Sequence, residues 1–85
     1  GEVTLVAPTL ANVQTRTKGR NDGTIVVPDT LKDSKGRTVK VTSVIKDAQG
    51  KVETNGQLAP GVHLVTFSAD GYQDVTSGVS VTDHS

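Results

Sequence analysis

The side chains that could do chemistry in this 85-residue sequence are few and scattered. Nucleophilic catalysis needs a nucleophile, a base and a group that orients the base. Serine and threonine are plentiful, but the imidazoles are limited to His63 and His84. His84 is the penultimate residue, where chains fray. His63 falls in mid-strand, a half-buried structural position. The absence of cysteine removes thiolate nucleophiles, thiolate metal sites and disulfides together. Histidine-based metal binding would need neighbouring ligands, and the spacing supplies none. Asp22, Asp29, Asp33, Asp47, Asp70 and Asp74 fall near expected loops, yet the alternating acids of an EF-hand-type calcium loop are missing. Turn formation accounts for each of these aspartates. No glycine-rich loop with a following Gly-Lys-Ser/Thr is present to cradle phosphate. These readings predict no enzyme, no catalytic residue and no cofactor, and assign no metal ligand, with structural calcium at the loop aspartates left open.

Charge is more informative. Nine basic and nine acidic residues give zero formal net charge, so no global field steers the chain. All nine Lys and Arg lie between Arg16 and Lys51, and from Val52 onward the charged residues are Glu53, Asp70, Asp74 and Asp83. The bland reading is solubilising loops and edge strands, where lysine discourages aggregation. The functional reading is a basic region, 16–51, that meets an anionic partner, with Arg16, Lys18 and Arg20 as candidate ligand contacts. Nucleic acid is a poor partner, because single-strand binders stack bases on aromatics. Phe67 and Tyr72 are the only aromatics, and both are wanted in the core. The same shortage argues against an aromatic sugar platform, leaving hydrogen-bonded glycan recognition open. No apolar run is long enough for a membrane helix, so no membrane insertion is expected.

The elements that must position these groups follow from a period of two nearly everywhere. Fourteen Val and twelve Thr favour pleated, half-buried surfaces. Val3, Leu5 and Ala7 alternate in a first strand over 2–7. A weaker alternation follows over 10–17, then a polar loop over 18–23. Thr24–Val27 reads as a short strand stopped by Pro28. Residues 28–37 read as polar connection with Leu31 as a lid. Val39, Val41 and Ile45 mark a strand with Val44 out of phase. Lys51–Thr54 is a short strand, Val62–Ala69 the clearest one, and Tyr72–Thr82 closes the fold as two strands or one bent at Gly78. Asp33-Ser34-Lys35-Gly36-Arg37 and Asp47-Ala48-Gln49-Gly50-Lys51 share the pattern Asp-x-x-Gly-basic, which suits a type I turn followed by a left-handed glycine. About seven short strands at this spacing predict a two-sheet antiparallel β-sandwich.

Residues 38–82 carry a family pattern. Leu58-Ala59-Pro60-Gly61-Val62-His63-Leu64-Val65-Thr66-Phe67, then Ala69-Asp70-Gly71-Tyr72, then Val79-Ser80-Val81, resemble the second half of prealbumin-like sandwich modules, the carboxypeptidase regulatory-like and collagen-adhesin B-type repeats. His63 stands where that family usually has Tyr, and the first 37 residues fit the family poorly and match a general immunoglobulin-like sandwich instead. The resemblance implies a prealbumin-like or immunoglobulin-like all-β fold. Its internal Lys–Asn isopeptide bond is not expected here, because Glu2–Ala7 holds no Lys and Val79–Asp83 no Asn.

Together these readings predict a single β-sandwich module over 1–85, excised from a longer chain since it starts at Gly1. The expected role is a non-catalytic spacer in a secreted or cell-surface multidomain protein, holding other domains away from a cell wall, membrane or virion. Its partners would be neighbouring domains of the same chain. The alternative is an adhesion module recognising a glycan or host protein through the 16–51 region. The residues expected to hold the fold are Val41, Ile45, Leu58, Val65, Phe67, Tyr72, Val79 and Val81.

Overall fold

The computed structural model describes residues 2–13 and 20–83. Its strands are β1 (Asn12–Val13), β2 (Thr24–Ile25), β3 (Thr30–Lys32), β4 (Thr38–Lys40), β5 (Thr42–Lys46), β6 (Gly61–Ser68) and β7 (Val75–Val81). Every pairing is antiparallel, and no helix occurs among the described residues. Among the described residues the fold is therefore all-β with seven antiparallel strands, as expected. They form three small sheets rather than two: β1-β2, β3-β4 and β5-β6-β7.

Local chemistry builds the turns. At the first Asp-x-x-Gly-basic segment, the Gly36 amide donates to the Asp33 carbonyl (2.9 Å) and the Asp33 amide to the Arg37 carbonyl (2.9 Å). Asp33 Oδ1 accepts from the Lys35 and Arg37 amides at 2.9 and 3.0 Å. The second segment repeats this pattern: Gly50 donates to the Asp47 carbonyl at 3.0 Å, and Asp47 Oδ1 accepts from Gln49 and Lys51, both at 2.9 Å. Gly36 and Gly50 sit at φ +79° and +84°, where a Cβ would be strained. The first turn joins β3 to β4. The second returns the chain to β5, where Val52 bridges Lys46 and the Glu53 amide donates to the Ile45 carbonyl.

β4 and β5 are successive stretches of one extended run that changes partner at Val41. Before it, Leu31 opposes Val39; after it, Ile45 opposes Val65. The expected strand over 39–45, with Val44 facing away from its neighbours, is this run. β6 then pairs with β7 over its whole length, from Gly61–Val81 to Phe67–Val75. The residues of β6 alternate strictly: His63, Val65 and Phe67 are buried, while Val62 and Leu64 are exposed.

The inner face of β5-β6-β7 supplies Ile45, Val65, Phe67, Val79 and Val81 to the core. Leu5, Ile25, Leu31, Val41 and Leu58 complete the cluster from the other elements, with Tyr72 packed against it. All eight residues expected to hold the fold lie in this cluster or against it. Three segments differ from expectation. Residues 2–7 make a single bridge, Leu5 with Asp33, rather than a strand, because inward side chains cease after Leu5. Residues 28–37 contain β3, and Leu31 is a buried core residue rather than a lid. One apolar residue between two polar ones is too weak a local signal for a strand; the tertiary partner Val39 decides it. Lys51–Thr54 is reduced to the bridge at Val52.

Candidate interaction surface

The imidazole that sequence chemistry singled out is fully committed to structure. His63 points inward from β6 and is 3% exposed. Its Nε2 lies 2.7 Å from the Ala59 carbonyl, which can only accept, so this nitrogen carries a proton. Its Nδ1 faces Glu53 Oε1, and the two share a second hydrogen bond. Both ring nitrogens are engaged in hydrogen bonds, and the side chain is almost wholly buried. The pair ties segment 53–59 to β6.

A second polar knot holds the opposite end. Asp33 is buried at 3% exposure and accepts four hydrogen bonds. Beyond the two turn amides, Oδ2 accepts from Arg37 Nε (2.8 Å) and from the Tyr72 hydroxyl (2.7 Å). Burial alone would raise the Asp33 carboxyl pKa. The hydrogen bonds from Tyr72, Arg37 and Lys35 outweigh it and hold the carboxyl well below the usual carboxylate range. Hydrogen bonding to Asp33 and burial in turn raise the Tyr72 phenol above its ordinary value. The Tyr72 hydroxyl thus finds a carboxylate 39 residues away. Sequence spacing carries no signal for this partner.

Of the three candidate ligand contacts, Arg16 and Lys18 lie outside the described residues. Arg20 is exposed, with Nε 3.6 Å from Asp22 Oδ2. Among the described residues, no three His, Asp or Glu side chains converge to hold a metal. A groove of about 360 Å³ opens where the β4–β5 run leaves β3, lined by Lys40, Val41, Thr42, Ser68, Ala69 and Asp70. It holds one lysine and one aspartate, but no nucleophile–base pair.

The surface that remains is the outer face of β5-β6-β7. Register places four rows on it: Lys46, Leu64 and Gly78; Val44, Thr66 and Thr76; Val62 with Ser80; and Thr42 with Ser68. Val52 extends the first row beyond Lys46. Val44, Val52, Val62 and Leu64 are 43, 63, 57 and 38% exposed, a concentration of apolar area in one place. Gly78 leaves that row flat, with Leu64 lying over it. The Thr66 and Thr76 hydroxyls bond to each other across the face (2.9 Å). No carboxylate lies in these rows. Lys46 and, along the same alternation, Lys40 border them. Flat, apolar and lysine-edged, this face suits packing against another protein better than any chemistry.

Comparison with known proteins bears on the same point. A family model described as the phage tail tube protein C-terminal domain matches residues 4–85. The tail tube proteins of Lactococcus phage F4-1 and Lactococcus phage p2 are each 82% identical over 85 residues, covering 100% of this chain and 28% of theirs. The tail tube protein of Lactococcus phage SK1 is 80% identical over the same span. The chain thus spans 28% of the length of these relatives. No solved structure matches. These matches overturn the prealbumin-like and immunoglobulin-like resemblance. Its Pro-Gly turn, alternating strand and Gly-Tyr corner form a generic way to start and end a strand, and many antiparallel sheets use it. The cell-surface or secreted location, the spacer role in a surface protein and the adhesion alternative fall with it. The relatives are phage tail components, and a glycan or host-protein partner gains no support from them.

Proposed function

This chain belongs to the phage tail tube protein C-terminal domain family, and on that premise we propose that it is a structural, non-catalytic module of a phage tail. The observation that carries this reading is the family match over residues 4–85, joined to 82% identity with named tail tube proteins. Its partners are other subunits of the tail. Assembly into a repeating particle needs no chemistry, only a stiff body and a surface that fits. The two polar knots and the shared β4–β5 run supply the stiffness. The outer face of β5-β6-β7 supplies the surface, and its carboxylate-free rows with Lys46 at one end fit an apolar patch with an acidic edge on a neighbouring tail subunit.

Antibodies raised against this 85-residue chain, visualised with gold on intact particles of the phage that encodes it, test the assignment. Label along the tail is expected. Label confined to the capsid, or free protein in the lysate with bare tails, would overturn it. The surface is tested separately by Leu64→Glu, which places a charge in the apolar row without touching the core. Tail assembly should fall while the domain's melting temperature stays the same.

A further inference from the structure

Asn55 does for β2 what a neighbouring strand would do. The Ile25 amide donates to Asn55 Oδ1, and Asn55 Nδ2 donates to the Ile25 carbonyl, both at 2.8 Å. Two residues along, Gly23 and Leu58 exchange backbone hydrogen bonds in the same sense. The carboxamide therefore completes the pairing of a two-residue strand over Ile25 and Leu58, which are 1% and 0% exposed.

The next residue is Gly56, at φ +88°, and its amide nitrogen lies 3.2 Å from Asn55 Oδ1. With no Cβ, Gly56 does not block approach of that nitrogen to the Asn55 carboxamide carbon. Asn55 itself is exposed, so water and base reach it. We propose that Asn55-Gly56 is a self-modification site, and that its conversion opens the clamp on β2.

Base from solvent removes the Gly56 amide proton. The nitrogen forms a bond to Asn55 Cγ, and the carbonyl π pair moves onto Oδ1. That oxygen already receives the Ile25 N–H, a fixed donor where charge gathers. The Oδ1 pair then restores the carbonyl as the Cγ–Nδ2 bond breaks, that bond's electron pair leaving with nitrogen, which takes a proton from water and departs as ammonia, the hydroxide left replacing the base consumed. Water opens the resulting succinimide at either carbonyl, leaving an ordinary aspartyl or an isoaspartyl linkage in place of the asparagine. The net change is gain of water and loss of ammonia, with nothing oxidised or reduced. The product carboxylate keeps an acceptor for the Ile25 amide but has no proton for the Ile25 carbonyl. Two acceptors then face each other where a donor and an acceptor stood. In the isoaspartyl form, an added backbone methylene also moves the side chain off both partners.

Asn12 and Asn21 serve as internal controls, since Val13 and Asp22 follow them. Lys51 is the last basic residue, so trypsin releases Val52–Ser85, in which Asn55 is the sole asparagine. The chain is held in mildly alkaline buffer at body temperature, digested at intervals and weighed. Because Gly56 leaves the nitrogen's approach open and Ile25 N–H is a preset oxyanion donor, conversion at Asn55 should outrun Asn12 and Asn21 by about tenfold or more. The converted protein, separated by its added negative charge, should melt about 4–8 °C below the parent. Asn55→Gln, which keeps the carboxamide but closes a larger ring reluctantly, should resist conversion. Equal rates at Asn55 and Asn21 would overturn the site. Converted protein that melts with the parent would overturn the clamp. Asn55→Asp, made directly, repeats the second measurement without the isoaspartyl form. If it fails to fold, the isolated converted fraction of the parent chain supplies the same reading.

Discussion

Replacing Phe67 with alanine tests the register and the core together. The ring is completely buried. Its cross-strand neighbours are Ser43 on β5, which is exposed, and the half-buried Val75 on β7, both small. Neither can swing into the space a lost ring leaves, and the sheet backbone on both sides is held by paired strands. Most of the cavity should therefore persist, which puts the cost toward the upper part of the roughly 3–5 kcal/mol seen for such truncations. An 85-residue domain at about 0.05–0.15 kcal/mol per residue has roughly 4–13 kcal/mol in total. The variant should lose a third or more of its stability, or fail to fold. Urea unfolding followed by circular dichroism gives the number, with the midpoint falling and the slope unchanged. Phe67→Leu, closer in volume, should cost less than half as much. If Phe67→Ala costs under about 1 kcal/mol, the ring is not enclosed and the β5-β6-β7 register is wrong.

Other outcomes follow from single contacts. A Cβ on Gly23 would sit 2.4 Å from Val81 Cγ1 and 2.9 Å from the Leu58 carbonyl, both in buried residues, so Gly23→Ala should cost about 1–3 kcal/mol by thermal melt. Because the Asp33 pKa is lowered on folding from its ordinary 3.8, its ionised form stabilises the native state above that value. That contribution should fade as pH falls from about 4 toward 2. Asp33→Asn should melt lower at neutral pH yet lose less on acidification; a parallel pH profile would count against the knot. Leu64→Glu should leave the melting temperature within about 2–3 °C, as exposed substitutions usually do, while lowering tail assembly.

What could be read from residues alone was what depends on neighbours in sequence. Asp33 and Asp47 each satisfy amides within four residues, so both turns were legible down to their glycines. β6 was legible because Val65 and Phe67 alternate with Val62 and Leu64 over a full strand. The outer apolar face was implicit in that alternation. β3 was not legible, since Leu31 alone among polar residues acquires strand character from Val39 and from the Val6 amide, which donates to the Lys32 carbonyl. The clamps were not legible either. Asn55 on Ile25, Glu53 on His63 and Tyr72 on Asp33 join residues 30, 10 and 39 positions apart, distances at which no local pattern is imposed. The half-chain resemblance misled for a related reason. It captured the grammar of a turn, strand and corner, but recognising the family took matching across residues 4–85.

The last strand has a consequence for the order in which the domain is made. Ser77 donates to the Pro8 carbonyl, and the Asn12 side chain donates to the Ser80 carbonyl, spanning 69 and 68 residues. β7 also carries Val79 and Val81 into the core and packs against β1 and β2. The early elements therefore wait for the last one. As a ribosome extends the chain, β1-β2, β3-β4 and β5-β6 can pair as hairpin-like intermediates, but the bonds that Pro8 and Asn12 make to β7, and the packing of β1 and β2 on it, wait until β7 emerges. Closure over so long a loop is slow relative to local pairing. Consolidation of the core should thus register as a late step that follows the emergence of β7.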